Sequence, residues 1–221
     1  MSAKDEFWQV MSAYGARIWP TQVVAYALVV ALIGWLLLNP GRVQSFITKA
    51  FLSVAFASNA LLFYLILARG ITGNDFGSLL TGALFLLVAV FFGADLFRGR
   101  MKFSLPIAGW RRYASLLALA LVCCYPVLGL LSGHALTNLI VPGTHPCATT
   151  ALAMALLTTA LPDVDWLIYA LLVFFAVPFT PFHQIARFGV YEDAILLAVG
   201  IYGLVLLVRH WWRRWTPTLP A

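Results

Sequence analysis

The chain has 221 residues, of which 62% are hydrophobic and only 10% are charged, and its formal net charge is +6. Soluble domains have about a quarter of their residues charged, so this composition excludes a water-soluble globular protein, which could not hide so much apolar surface. The basic residues stand in short clusters beside apolar segments and form no continuous basic face, which argues against nucleic acid as a partner. The composition predicts an integral membrane protein whose main partner is the lipid bilayer.

The first twenty residues precede the first long apolar run. Phe7, Met11, Tyr14 and Ile18 recur at helical spacing. This pattern predicts an interfacial amphipathic helix over residues 1–20, or alternatively an ordinary anchoring segment with aromatic residues at the membrane surface. The apolar run that follows lacks a small-residue cleavage site at its end, so we expect it to remain as a transmembrane helix.

Seven apolar segments follow in chain order. About 20 apolar residues cross a bilayer as a helix, and these segments are apolar on all sides instead of alternating as barrel strands do. We therefore predict an all-α, polytopic transmembrane helix bundle that forms a single domain over residues 1–221. Its spans are predicted at about Thr21–Asn39, Ala50–Leu67, Phe76–Phe97, Tyr113–Gly133, Cys147–Leu161, Trp166–Phe179 and Val190–Val208.

The fifth and sixth segments are short for a membrane span, with 15 and 14 residues. Short or broken apolar segments often line a cavity, because irregular backbone must be shielded from lipid. The alternatives are two tilted spans in a locally thinned bilayer or a re-entrant hairpin.

The distribution of lysine and arginine predicts the orientation. With seven spans and the C-terminus inside, ten of the fourteen lysines and arginines fall on the cytoplasmic side, as the positive-inside rule requires. We therefore predict an outer N-terminus and a cytoplasmic C-terminus. A re-entrant hairpin would leave five spans and keep both termini on these sides.

Three residues of the fourth span, and one of the second, predict local structure. Pro126 lacks a backbone donor and should kink its helix. Gly129 and Gly133 form a small-xxx-small pattern that would let another helix approach closely, so a homo-oligomer through this face is plausible. Asn59, in the middle of the second span, is expected to hydrogen-bond to a neighbouring helix.

Two histidines and a cysteine are candidates for a metal site on the outer face. His134, His145 and Cys147 fall at or near helix ends there, and imidazole and thiolate together suit a transition metal. The alternative is that Cys147 packs as a small apolar residue. Cys123 and Cys124 are weaker candidates, because adjacent helix positions point about 100° apart.

Acidic residues in apolar segments are the other candidates. Glu192 and Asp193 begin the last span, where they would either interact with the helix dipole or act as cation ligands or proton acceptors opposite His134 and His183. Asp95, near the cytoplasmic end of the third span, is expected to form a surface pair with Arg98.

The functional prediction is a small transporter or channel for an ion or small solute, with its pathway near the fourth to sixth segments. The binding residues would be His134, His145, Cys147, Glu192, Asp193 and His183. No nucleotide-binding or hydrolase motif occurs, so an enzyme is not favoured, and a retinal pigment is excluded because the last span has no lysine. The alternatives are a non-catalytic sensor or accessory subunit, and a redox protein that holds a metal or haem.

Three sequence runs, one near the start of the chain and two in its middle, resemble a known family. They are YPxxGxxxGH at 125–134, PGxxPCxTT at 142–150 and the opening aromatic pattern from Phe7 to Pro20. These runs resemble a family of bacterial integral membrane proteins catalogued as domain of unknown function 6064. The resemblance implies a compact multi-pass fold in the inner (plasma) membrane, and it implies no activity.

Overall fold

The computed structural model describes residues 3–67 and 75–215, and every regular element in these residues is a helix, which confirms the all-α prediction. Two of the helices change to π-helical winding in their second part, and short 3₁₀ turns occur at Leu136–Asn138 and Tyr191–Asp193. The helices are α1 (Ala3–Leu38), α2 (Arg42–Ser58, continued as a π-helix over Asn59–Leu67), α3 (Asp75–Arg98), α4 (Trp110–Cys123), α5 (Tyr125–Leu131), α6 (Pro146–Thr159), α7 (Trp166–Phe174, continued as a π-helix over Phe175–Arg187) and α8 (Ala194–Trp215).

Five helices are long and apolar enough to cross a membrane, and α4 with α5 makes a sixth candidate if the bent pair counts as one span. The five are α1, α2, α3, α7 and α8, with the π-helical parts included. The remaining predicted span corresponds to α6, which has 14 residues. That is roughly 21 Å of helix against about 30 Å of hydrocarbon, so α6 falls short of a full crossing.

α1 is a single helix of 36 residues, where a separate interfacial helix and a first span were predicted. It passes through Pro20 and ends before Asn39-Pro40-Gly41. Its N-terminal part is held by contacts with distant loops: Phe7 stacks on Phe188, and the Tyr14 hydroxyl donates to the Thr144 carbonyl at 3.1 Å. The apolar pattern that suggested a membrane-surface helix therefore packs on the protein itself.

α6 is the buried centre of the bundle. All 14 of its residues are buried, as expected of a helix that is apolar on every side. Its threonines hydrogen-bond to neighbouring helices: Thr158 pairs with Ser115 at 3.0 Å, and Thr149 accepts from the Asn59 amide at 3.3 Å. The predicted interhelical hydrogen bond of Asn59 is thereby confirmed. A short helix is possible here because other helices, and not lipid, surround it.

The predicted kink in the fourth span is confirmed, since α4 and α5 meet at 50° just before Pro126. The Tyr26 hydroxyl of α1 donates to the Cys123 carbonyl at the bend, at 2.7 Å. A neighbouring helix thus satisfies a backbone group where the helix is interrupted.

The two glycines of the small-xxx-small pattern have roles inside the chain. A Cβ on Gly129 would lie 2.9 Å from a Leu139 methyl and 3.5 Å from a Glu192 carboxylate oxygen, so this face packs on the protein's own residues. Gly133 follows the end of α5 with φ +83°, a conformation that favours glycine. Assembly of a homo-oligomer through this face remains a prediction.

The sixth segment is longer than predicted. The helix continues through Pro178 and Pro181 as a π-helix to Arg187, which gives 22 residues from Trp166. The two prolines change the winding and do not end the helix. π-Helical winding occurs frequently at functional sites, and Phe179 and Arg187 of this segment line a cavity.

Asp95 is buried, and its predicted surface pair with Arg98 is wrong. Its carboxylate lies 2.9 Å from the Lys49 ammonium of α2, and both side chains are more than nine-tenths buried. The backbone N–H groups of Arg100 and Met101 also donate to it. The chain turns back after α3, and this turn places the carboxylate over α2, a contact that spacing along one helix could not reveal.

Candidate functional site

The first part of the site is a histidine–carboxylate pair. His134, just after α5, places Nδ1 2.7 Å from Oε1 of Glu192, whose side chain is fully buried. The Trp8 ring lies against the imidazole with 4.2 Å between ring centroids, and the Trp8 N–H donates to the Phe188 carbonyl. Contacts from α1 therefore cover one side of the pair. Gly129, which has no side chain, leaves room for the imidazole and the carboxylate.

The second part is the adjacent carboxylate, Asp193, which is also fully buried. The Tyr125 hydroxyl donates to Oδ1 at 3.3 Å, and the Cys147 thiol interacts with the same carboxylate. Oδ2 accepts no hydrogen bond from any described N–H or O–H group. Elements α5, α6 and the turn before α8 thus converge on two neighbouring carboxylates.

His145 precedes α6 and is held by its own loop. The Val141 N–H donates to Nδ1 at 3.1 Å, so the ring proton of the neutral imidazole lies on Nε2. Tyr14 packs edge-on against the ring at 5.6 Å between centroids. Burial lowers the pKa of His145 from 6.5 to about 4, because a charged imidazole would lose its hydration. His145 therefore stays neutral at ordinary pH.

The lowered pKa of His145 predicts an acid-sensitive stability. Between about pH 6.5 and pH 4 the unfolded chain binds a proton that the folded protein does not, so stability is greatest above this window and falls by about 1 kcal/mol per pH unit as the pH is lowered through it. Thermal unfolding of the purified protein from pH 7.5 to pH 4.5 should show this fall, and His145→Gln should reduce it. An unchanged pH profile in the variant would contradict the assignment.

A cavity of about 290 Å³ adjoins these residues. Asp193, His145 and Cys147 line it together with Tyr64 and Arg187, which lie in the two π-helical segments. Non-helical or irregularly wound backbone at membrane depth is tolerated where it lines a cavity. The cavity thus joins the buried carboxylate to both irregular helices.

The structure groups the predicted site residues in two contacts: His134 meets Glu192, and Cys147 meets Asp193, with His145 beside the same cavity. The predicted metal ligands His134, His145 and Cys147 do not form a ligand set. Among the side chains that the structure describes, which leave out Asp75 and His183, no group of three or more His, Cys, Asp or Glu residues is placed to hold a metal.

The structure describes the two weaker cysteine candidates, Cys123 and Cys124, but not the side chain of the third histidine, His183. Cys123 is half-buried and Cys124 is exposed, and a metal-binding role for either thiol stays a prediction. The His183 side chain lies outside the part of the structure that is described, and its predicted role opposite the carboxylates stays a prediction.

Sequence reasoning missed three aromatic residues of the site: Trp8, Tyr64 and Tyr125. Trp8 and Tyr125 contact His134 and Asp193 directly, and Tyr64 lines the cavity. In the sequence these residues are typical of a membrane helix rich in aromatic side chains. The one available signal was that Tyr125 is next to Pro126, whose kink turns the following helix towards the carboxylates.

Comparison with known proteins gives a family without an assigned activity. The model of the Family of unknown function DUF6064 matches residues 4–216. No curated protein and no solved structure matches the chain. The match covers nearly the whole sequence, including every residue of the site described above, and the chain therefore belongs to the DUF6064 family.

Proposed function

We propose that this protein is a small membrane transporter or channel in which Glu192 and Asp193 bind a proton or a cation. The observation that supports the proposal is the burial of two consecutive carboxylates. Their exposed fractions are 1% and 0%. Among the described residues, His134 is the one basic side chain within ion-pair distance of either.

The physical argument concerns the cost of buried charge. An ionised carboxylate without water is strongly destabilised unless it is paired and hydrogen-bonded. One imidazole neutralises at most one of these two groups, so a proton or a cation from outside is the natural partner for the other. Ionisable residues inside membrane helices commonly mark ion or proton pathways for this reason.

The surroundings of the carboxylates support a pathway. Asp193 lines the 290 Å³ cavity, and the wall of that cavity includes Tyr64 and Arg187 from the π-helical segments. In transporters, interrupted helices commonly form the substrate and ion sites, and their unwound backbone carbonyls coordinate the ions. The cavity, α5, α6 and α7 thus define the proposed route, close to the predicted fourth to sixth segments.

The test is ion flux in liposomes that contain the purified protein and a fluorescent dye selective for the ion under test, with proton, sodium and potassium gradients applied in turn. We expect a flux of at least one of these ions, reduced at least tenfold in Glu192→Gln and in Asp193→Asn. Both variants keep the shape of the side chain and remove its charge. A tenfold effect corresponds to about 1.4 kcal/mol.

Asp163→Asn is the matched control, because Asp163 is an exposed carboxylate in the loop before α7. This variant should leave the flux unchanged. Equal flux in wild type, Glu192→Gln and Asp193→Asn, or no flux of any of the three ions, would contradict the proposal and favour a sensor or accessory subunit.

A further inference from the structure

An apolar groove lies between α3 and the two parts of α7. Its volume is about 420 Å³, within the range of roughly 300–1,000 Å³ that is usual for ligand pockets. Of its described lining residues Thr81 alone is polar, and its hydroxyl donates to the Gly77 carbonyl at 2.9 Å. Phe174 and Phe182 at the groove are 70% and 72% exposed, so it reaches the surface that is predicted to face lipid. Such a groove suits an apolar chain that enters sideways from the bilayer.

The groove adjoins the cavity of the site, because Thr81 and Phe179 line both. Residues of opposite charge line this cavity. Asp193 supplies a buried carboxylate whose Oδ2 has no described N–H or O–H donor, and Arg187 supplies a guanidinium at the exposed side. Guanidinium groups bind phosphate well, and a carboxylate binds an ammonium group. The groove thus offers an apolar surface, and the adjoining cavity offers both charges.

We infer that the proposed transporter also binds a single-chain lipid with a zwitterionic head group made of a phosphate and an ammonium. This inference rests on the proposed function and names a lipid ligand of the same site. The apolar chain occupies the groove, the phosphate lies at Arg187 and the ammonium lies at Asp193. A groove between two neighbouring helices accommodates one chain, which favours a lysophospholipid over a two-chain lipid.

The first experiment is photolabelling of the full-length protein in detergent with lysophosphatidylethanolamine that carries a diazirine in its chain. We expect labelled peptides from α3 and α7. Leu84→Trp fills the groove and should reduce labelling at least tenfold, because Leu84 lines it. Leu87→Trp is the matched control, since Leu87 is 41% exposed on the same helix and is not part of the groove. It should leave the labelling unchanged.

The second experiment tests the head group by competition. Unlabelled lysophosphatidylethanolamine should compete at least tenfold better than a fatty alcohol of the same chain length, and Arg187→Gln should remove this preference. Equal labelling of the Leu84→Trp and Leu87→Trp variants would show ordinary contact with surrounding lipid and would overturn the inference, as would equal competition by both compounds.

Photolabelling requires no ion gradient, so its result is separate from the flux test. Ion flux without groove-specific labelling would overturn this inference and leave the proposed function standing. Groove-specific labelling without flux of any tested ion would overturn the proposed function, and the lipid site would stand as a binding site alone.

Discussion

Replacing Lys49 by methionine is expected to destabilise the protein by about 3–5 kcal/mol, the usual cost of leaving one member of a buried ion pair without its partner. The Asp95 carboxylate would lose the ammonium at 2.9 Å while it stays buried near the end of α3. Two backbone N–H groups would still donate to it, but they carry no full charge. Chemical unfolding of the purified protein in detergent, followed by circular dichroism, measures the change.

A double variant separates the charge effect from lost packing. Asp95→Asn removes the charge and keeps an oxygen that accepts from Met101 or Arg100. The Lys49→Met/Asp95→Asn protein should therefore be more stable than the Lys49→Met protein by at least about 1 kcal/mol. If the losses of stability in the two single variants simply added in the double variant, the two side chains would not depend on each other. The buried 2.9 Å contact argues against that outcome.

Replacing Gly15 by leucine is expected to destabilise the protein by about 3 kcal/mol, at the upper end of the range for overpacking. A Cβ at this position would overlap the Thr137 carbonyl oxygen, which is backbone and cannot rotate away. The 3₁₀ turn Leu136–Asn138 would have to move from α1. Because α1 also places Trp8 on His134, the change should reach the carboxylate site as well. Thermal unfolding and the ion flux assay measure the two effects.

Gly34→Leu on the same helix is the matched control. No atom lies within 4 Å of a Cβ at Gly34, and leucine favours a helix over glycine by up to about 1 kcal/mol. Gly34→Leu should therefore be neutral or stabilising. Similar destabilisation by both substitutions would show that α1 does not pack on the turn as described.

Much of the architecture could be predicted from local patterns. Long apolar runs predicted α2, α3, α8 and the second part of α1, because a helix in lipid must satisfy its own backbone hydrogen bonds. Pro126 predicted the bend after α4 because proline removes a backbone donor. The prolines at 178 and 181 misled the same reasoning, since π-helical winding carries the chain through them. A proline can bend a helix, change its winding or end it. Which of these happens depends on the neighbouring residues that hydrogen-bond to the backbone groups it leaves without a partner.

The candidate site was predictable in part. The free-energy cost of placing a charge in an apolar segment pointed to Glu192 and Asp193. His134, His145 and Cys147 were expected near the same outer face of the bundle. The structure pairs His134 with Glu192 and Cys147 with Asp193, and so replaces one expected cluster with two separate contacts. Spacing along the chain cannot give such pairings, because they depend on how far each helix is rotated about its own axis.

Composition and apolar segment length by themselves determined the class of this protein, an all-helical chain with helices long enough to cross a membrane, because those properties depend on each segment alone. Only the tertiary structure decided that α6 is buried on all sides, that the N-terminal part of α1 packs on the site, and that Lys49 lies against Asp95. Each of these features joins residues far apart in the chain. The physical reason is that lipid and the protein interior are similarly apolar. Hydropathy alone therefore cannot show which face of a helix contacts lipid and which face packs on another helix.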